Sequence, residues 1–151
     1  MIFQGQEFAE NEPLVYNEPL QWSLATQFAG IRKLWGALVS ARKNQSGHTP
    51  NLTGDGLNIY QVDNTNKLIA YERYDSQTPG IVIVVANFTG NAETGMQVGF
   101  PASGNWITRF NSDSKAYSNT FSGTGSTSVR ANGAPYSARI RTRTSATGDL
   151  S

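Results

Sequence analysis

Polar and apolar positions change their period about a third of the way along the chain. Leu24, Phe28, Ile31, Trp35 and Leu38 recur at steps of four, three, four and three, which is one face of an α-helix. The spacing predicts an amphipathic helix over Leu24–Asn44, with Ser23 as its N-cap and Asn44 and Gly47 to end it. Arg32 and Lys33 fall on other faces, and Arg42 and Lys43 lie where the helix dipole favours cations. Upstream, Pro13 and Pro19 forbid a regular helix, and Met1–Phe3 reads as a short strand. That strand is either an ordinary edge strand or a piece of a larger fold.

After residue 45 the period shortens to two. Leu57–Val62 alternates as a half-buried strand does, with Tyr60 and Val62 out of step. Asp63–Asn66 reads as a tight turn leading into the strand Leu68–Tyr74. Asp75, Ser76, Thr78, Pro79 and Gly80 are turn formers. They lead to Ile81–Ala86, an unbroken apolar run rich in β-branched residues that predicts a strand buried on both faces or nearly so. This hairpin, Lys67–Asn87, is the expected centre of an antiparallel β domain. Gly95–Phe100, Trp106–Phe110, Ser126–Arg130 and Tyr136–Arg141 predict further strands, with turn residues between them, as in a sandwich or barrel. The apolar stripe of the helix needs a partner.

Composition narrows this picture. A chain of 151 residues is about one domain long and buries roughly two thirds of its unfolded surface. Twelve Lys and Arg against eleven Asp and Glu leave a net charge of +1, so no global field points to nucleic acid or a membrane surface. The absence of cysteine excludes disulfides, thiolate metal sites and a Cys nucleophile. No run approaches the ~20 apolar residues of a membrane span. MIFQGQEF has neither the basic start nor the apolar length of a signal peptide.

The candidate chemistry is thin. Glycoside hydrolysis takes two carboxylates about 5–10 Å apart. Glu7, Glu10, Glu12 and Glu18 lie on predicted loop, and the remaining acids are scattered. His48, the one histidine, sits in a loop and reads as a surface residue. No nucleophile elbow, EF-hand spacing or phosphate-loop lysine is present. Trp106, Phe110, Tyr117 and Tyr136 are either a stacking platform for sugars or sandwich core. Asn51-Leu52-Thr53 and Asn87-Phe88-Thr89 match the glycosylation pattern.

The order of the pieces carries more than any single motif. MIFQGQEF is followed by a Pro/Trp connection, a helix ending Ala41-Arg42-Lys43, then KLIAYER, IVIVVANF, VGFP and WITRFNSD. This resembles the C-terminal part of the alpha-amylase superfamily of glycoside hydrolases, most closely that of 1,4-alpha-glucan branching enzymes. The likeness runs from Met1 to about Tyr117. After Pro135-Tyr136-Ser137 the family's apolar closing strand gives way to the polar, basic ARIRTRTSATGDLS.

The resemblance implies a mainly β fold: an antiparallel Greek-key β-sandwich of the alpha-amylase C-terminal type at residues 46–151. Before it, residues 1–45 would be the last strand and helix of a (β/α)8 barrel. The family's catalytic carboxylates lie on earlier barrel strands, so the resemblance implies no turnover by this chain alone and no cofactor. Gly5 and Glu7 match the family's motif at the barrel rim. The implied role is to stabilise the barrel, with contact to alpha-glucan beside it, and the implied location is the cytoplasm; from the residues themselves, Trp106, Tyr117 and Tyr74 are the candidate sugar-binding aromatics. Without the barrel, Met1–Phe3 and the Leu24–Leu38 face would expose apolar surface, which predicts a homo-oligomer through them. Two other readings stand beside this one. One is a free-standing glucan-binding module with Trp106 and at least one of Tyr117 and Tyr74 in an exposed flat platform. The other is a structural domain without a ligand.

Overall fold

The computed structural model describes residues 3–13, 15, 17–92, 97–123, 125, 127–132 and 147–149. Contacts divide the chain into two units, Met1–Ser40 with Phe110–Thr124, and Ala41–Arg109 with Gly125–Ser151.

In the first unit the segment after Phe3 is a tight turn. Gly5 has φ +88°, and a side chain there would meet Glu10 Cβ at 2.6 Å, so only glycine fits. Its carbonyl accepts the N–H groups of Phe8 at 3.1 Å and Glu10 at 3.0 Å, closing a short 3-10 turn at Gln6–Phe8. Phe8 is buried against the Trp22 ring at 5.3 Å. Met1 and Ile2, the rest of the expected strand, lie outside the described residues.

The expected single helix is two: α1 at Ser23–Gln27 and α2 at Ala29–Arg42. They break at Phe28, whose backbone leaves the helical region (φ −108°, ψ 39°). The periodicity missed this because the break preserves the spacing of the stripe. Segment 110–124 packs on the start of α2: a β-carbon on Gly30 would lie 1.5 Å from the Tyr117 carbonyl oxygen, and Lys33 Nζ donates to Ala116 O at 3.2 Å. No residue of α2 is buried.

The second unit is antiparallel β throughout its described strands. β1 (Gly56–Asp63), β2 (Leu68–Tyr74) and β3 (Ile81–Asn87) form a three-stranded meander. The β1–β2 turn is held by Asp63, whose Oδ1 accepts the N–H groups of Thr65 at 2.9 Å and Asn66 at 3.0 Å. The register shifts between Ile59 and Gln61, a β-bulge that leaves Tyr60 as the extra residue. The bulge explains why Tyr60 and Val62 fall out of step in the sequence.

The register also sorts the sheet's two faces. Inward lie Ala70, Ile83 and Val85, packed with the buried Val98, Phe100, Val129 and Ala131. Outward lie three cross-strand rows: Leu57/Arg73/Val82, Ile59/Tyr71/Val84 and Val62/Ile69/Ala86. The Ile81–Ala86 run is half-buried along its whole length, and the expectation of a fully buried strand is corrected. Its apolar residues serve two different faces, one packed inward and one turned out. Among the described residues β3 pairs only with β2.

Two nested pairs complete the unit. β5 (Gly104–Ile107) pairs with β6 (Ser128–Ala131), and β4 (Gln97–Gly99) pairs with β7 (Thr147–Asp149). β5 is shorter than Trp106–Phe110 predicts and starts earlier, at Gly104 (φ +130°). The strand expected at Tyr136–Arg141 lies outside the described residues. Together these strands give the mainly β, antiparallel sandwich that the sequence led us to expect.

Candidate functional site

The richest surface of the second unit is the turn between β2 and β3, and local hydrogen bonds build it. Asp75 Oδ1 accepts the N–H groups of Gln77 at 2.7 Å and Thr78 at 3.1 Å, shaping the turn. The loop before β1 is strapped along it. Asp55 accepts the Ser76 N–H at 3.1 Å on one oxygen and the Ser76 hydroxyl at 3.0 Å on the other. These two Ser76 donors, the backbone one first, hold the Asp55 carboxyl below its ordinary value of 3.8. Asn51, only 2% exposed, donates Nδ2 to the Pro79 carbonyl at 3.3 Å. The Arg73 guanidinium donates to the Gly54 carbonyl.

Tyr74 is set by the same strap. It pairs with Gly56 across β1 and β2, and its ring lies over that glycine. A β-carbon on Gly56 would come within 2.2–2.4 Å of ring atoms Cε2, Cζ and Cδ2. Tyr74 is 38% exposed, its ring against Gly56 and lining a groove of about 720 Å³. Pro79 and Ile81 are among the groove's apolar lining residues, and Asn58, Glu72, Asp75 and Gln77 among its polar ones. Glu72 is only 6% exposed and accepts the Asn58 amide at 2.9 Å. Further in, burial pushes the Tyr60 phenol above 10, and the neighbouring Glu72 carboxylate adds to the effect.

An aromatic face beside amides and carboxylates can hold a polyhydroxylated ring: C–H groups against the aromatic, hydroxyls to the polar side chains. The volume falls within the roughly 300–1,000 Å³ of small-molecule sites. The carboxylate oxygens are engaged in holding structure, Asp75 by its turn, Asp55 by Ser76 and Glu72 by Asn58. Among the described residues no three His, Cys, Asp or Glu side chains are placed to hold a metal ion. No described helix is long and apolar enough to cross a membrane.

The structure distributes the sequence candidates. Tyr74 lines the groove and Trp106 does not. Trp106 packs on Phe100 at 5.1 Å beside the core and donates its Nε1–H to the Ala102 carbonyl at 3.1 Å. Tyr117 belongs to the first unit, half-buried with its ring 6.2 Å from that of Phe110. Gly5 and Glu7 sit in the N-terminal turn, Glu7 half-buried. Sequence reasoning passed over Asn58, Glu72 and Gln77. Aligning the β1–β2 hairpin from its turn would have paired Asn58 with Arg73; the bulge at Tyr60 shifts the register by one and puts the Asn58 amide opposite the Glu72 carboxylate.

Residues 59–147 match the family model described as alpha amylase, C-terminal all-beta domain, a span from β1 to the start of β7. Among curated proteins, the 1,4-alpha-glucan branching enzyme of Prochlorococcus marinus (strain MIT 9301) is 32% identical over 124 residues, which is 77% of this chain and 16% of that enzyme. That of Burkholderia vietnamiensis (strain G4) is 28% identical over 149 residues, 93% of this chain and 20% of the enzyme. That of Marinobacter nauticus is 32% identical over 123 residues, 78% of this chain and 19% of the enzyme. The chain thus spans about a fifth or less of the length of these relatives.

Proposed function

The chain belongs to the alpha amylase C-terminal all-beta domain family, and on that footing we propose that it serves an alpha-glucan-active enzyme of the branching type as its non-catalytic C-terminal domain. One observation carries this reading: the family match at residues 59–147 runs from within β1 to the start of β7, across the antiparallel strands of the second unit. The domain stabilises a catalytic barrel and contacts glucan. Residues 1–45 stand in for the last barrel strand and helix, with Gly5 and Glu7 at the barrel rim. Prepared as these 151 residues by themselves, two copies pair through the Leu24–Leu38 stripe. The enzyme works in the cytoplasm.

Glucan contact falls at the Tyr74 groove. The ring lines the groove, with hydrogen-bonding groups beside it. Trp106 is tied into core packing, so substituting it reads folding before binding. Calorimetry of the chain with maltoheptaose is the test. Binding is expected, and it should be lost in Tyr74→Ala and weakened in Gln77→Ala, both with unchanged circular dichroism. No heat with the unsubstituted chain would remove glucan contact from the reading. Glucan-branching activity by the chain alone would remove the non-catalytic assignment.

A further inference from the structure

The groove beside Tyr74 is acidic although the chain is not. Among the described residues its lining holds two carboxylates, Glu72 and Asp75, and no Lys, Arg or His. Asp55, bonded through both oxygens to the lining residue Ser76, brings a third carboxylate to the same turn. The cation held on the same strap is Arg73, whose guanidinium is bonded to the Gly54 carbonyl and whose charge acts on Asp55. Three carboxylates against one guanidinium leave this turn net negative, while the whole chain carries +1.

That charge bears on which saccharide fits. Asp75 Oδ1 holds the turn through the N–H groups of Gln77 and Thr78, and Oδ2 takes no hydrogen bond among the described residues. An ionised carboxylate only accepts, so it pairs with a ligand that donates. Each hydroxyl of a neutral sugar donates, and its bond to a carboxylate oxygen is of the stronger, charge-assisted kind. An ionised phosphate or carboxylate on the sugar replaces that donor by an acceptor of like charge. At about 4 Å two like charges in water disfavour binding about fivefold, and more strongly near a protein surface. Two lining carboxylates therefore weaken an anionic sugar by at least about tenfold.

We propose that the groove selects neutral alpha-glucan and rejects glucan carrying phosphate or carboxylate groups, with Asp75 as the specificity-determining residue and Glu72 reinforcing it. This rests on the glucan contact proposed above and names the chemical class which that contact accepts.

The experiment titrates the whole chain by calorimetry with maltoheptaose and with maltoheptaose oxidised to a carboxylate at every C6, so that each sugar unit presents an anion. At about 0.01 M salt, where the Debye length is about 30 Å, the oxidised sugar should bind at least about tenfold more weakly. At about 1 M, where that length is about 3 Å, the gap should shrink to about threefold or less. Asp75→Asn keeps an oxygen for the turn and removes the charge. With unchanged circular dichroism it should narrow the low-salt gap by about fivefold. Equal binding of the two sugars, or tighter binding of the oxidised one, would overturn the selection and leave the glucan contact standing. A gap that salt leaves untouched would put the rejection in shape and not in charge, and would overturn it as well. A gap that closes in salt but persists in Asp75→Asn would overturn the assignment to Asp75. Binding of neither sugar would remove the glucan contact and the selection together.

Discussion

The Tyr117 carbonyl oxygen occupies the position a β-carbon on Gly30 would need, 1.5 Å from where that carbon would be built. The contact joins the start of α2 to segment 110–124, two stretches some eighty residues apart in sequence, and glycine is what admits it.

Gly30→Ala therefore forces backbone apart. It should destabilise the first unit by about 1–3 kcal/mol, the range for overpacking. Gly36 lies in the same helix with nothing within 4 Å of its missing side chain. Gly36→Ala should stabilise by about 0.5–1 kcal/mol through helix propensity alone. Urea titrations of the two variants should shift in opposite directions. A matching loss in both would mean that the approach at Tyr117 does not constrain Gly30.

Asn51→Ala should cost about 1 kcal/mol, the lower part of what losing a buried hydrogen bond costs. Its Nδ2 holds the Pro79 carbonyl, while its Oδ1 is buried without a partner among the described residues. The unpaired oxygen offsets part of what the amide contributes. Amide exchange should quicken at Thr78 and Gly80, and glucan retention should weaken although residue 51 does not line the groove.

At acid pH the Asp55–Ser76 strap is the part to watch. The folded carboxyl is held below 3.8, so its contribution is present above that pH and is lost as pH falls through the lower folded value. Ser76→Ala removes the hydroxyl donor and keeps the backbone one. Carboxyl NMR should show Asp55 titrating closer to 3.8 in that variant, and an unmoved titration would detach the shift from the hydroxyl.

At alkaline pH the sign reverses and Tyr60 decides. Its folded value is raised, chiefly by burial and further by Glu72, so stability is intact below about 10 and is lost as pH rises past the unfolded value. Absorbance at 295 nm should show the exposed tyrosines ionising first and Tyr60 only with unfolding. Tyr60→Phe should extend the folded range upward, and Glu72→Gln should let Tyr60 titrate earlier.

The meander was legible because Leu68–Tyr74 and Ile81–Ala86 are bounded by residues whose side chains cap their own backbone, such as Asp63 and Asp75. The break at Phe28 was not, since an apolar stripe keeps its spacing across a non-helical residue. Nor was the exposure of β3: an unbroken Val/Ile run reads the same whether its second face is buried or waits for a partner. The groove escaped for a related reason. Asp75, Ser76 and Gly80 announce a turn, and only the strap from Asn51 to Gly56 makes that turn one wall of a groove.

The extra residue at Tyr60 has a consequence for how chains of this kind can vary. Three steps separate Ile59 from Val62, and in a regular strand that odd count would send the two side chains to opposite sides. Because the bulge absorbs one step, both point the same way. A chain one residue shorter here would keep that parity through a plain strand, at the loss of the Tyr60 ring from the edge of the core. Length differences of a single residue among its kin should therefore gather at this strand and spare β2 and β3.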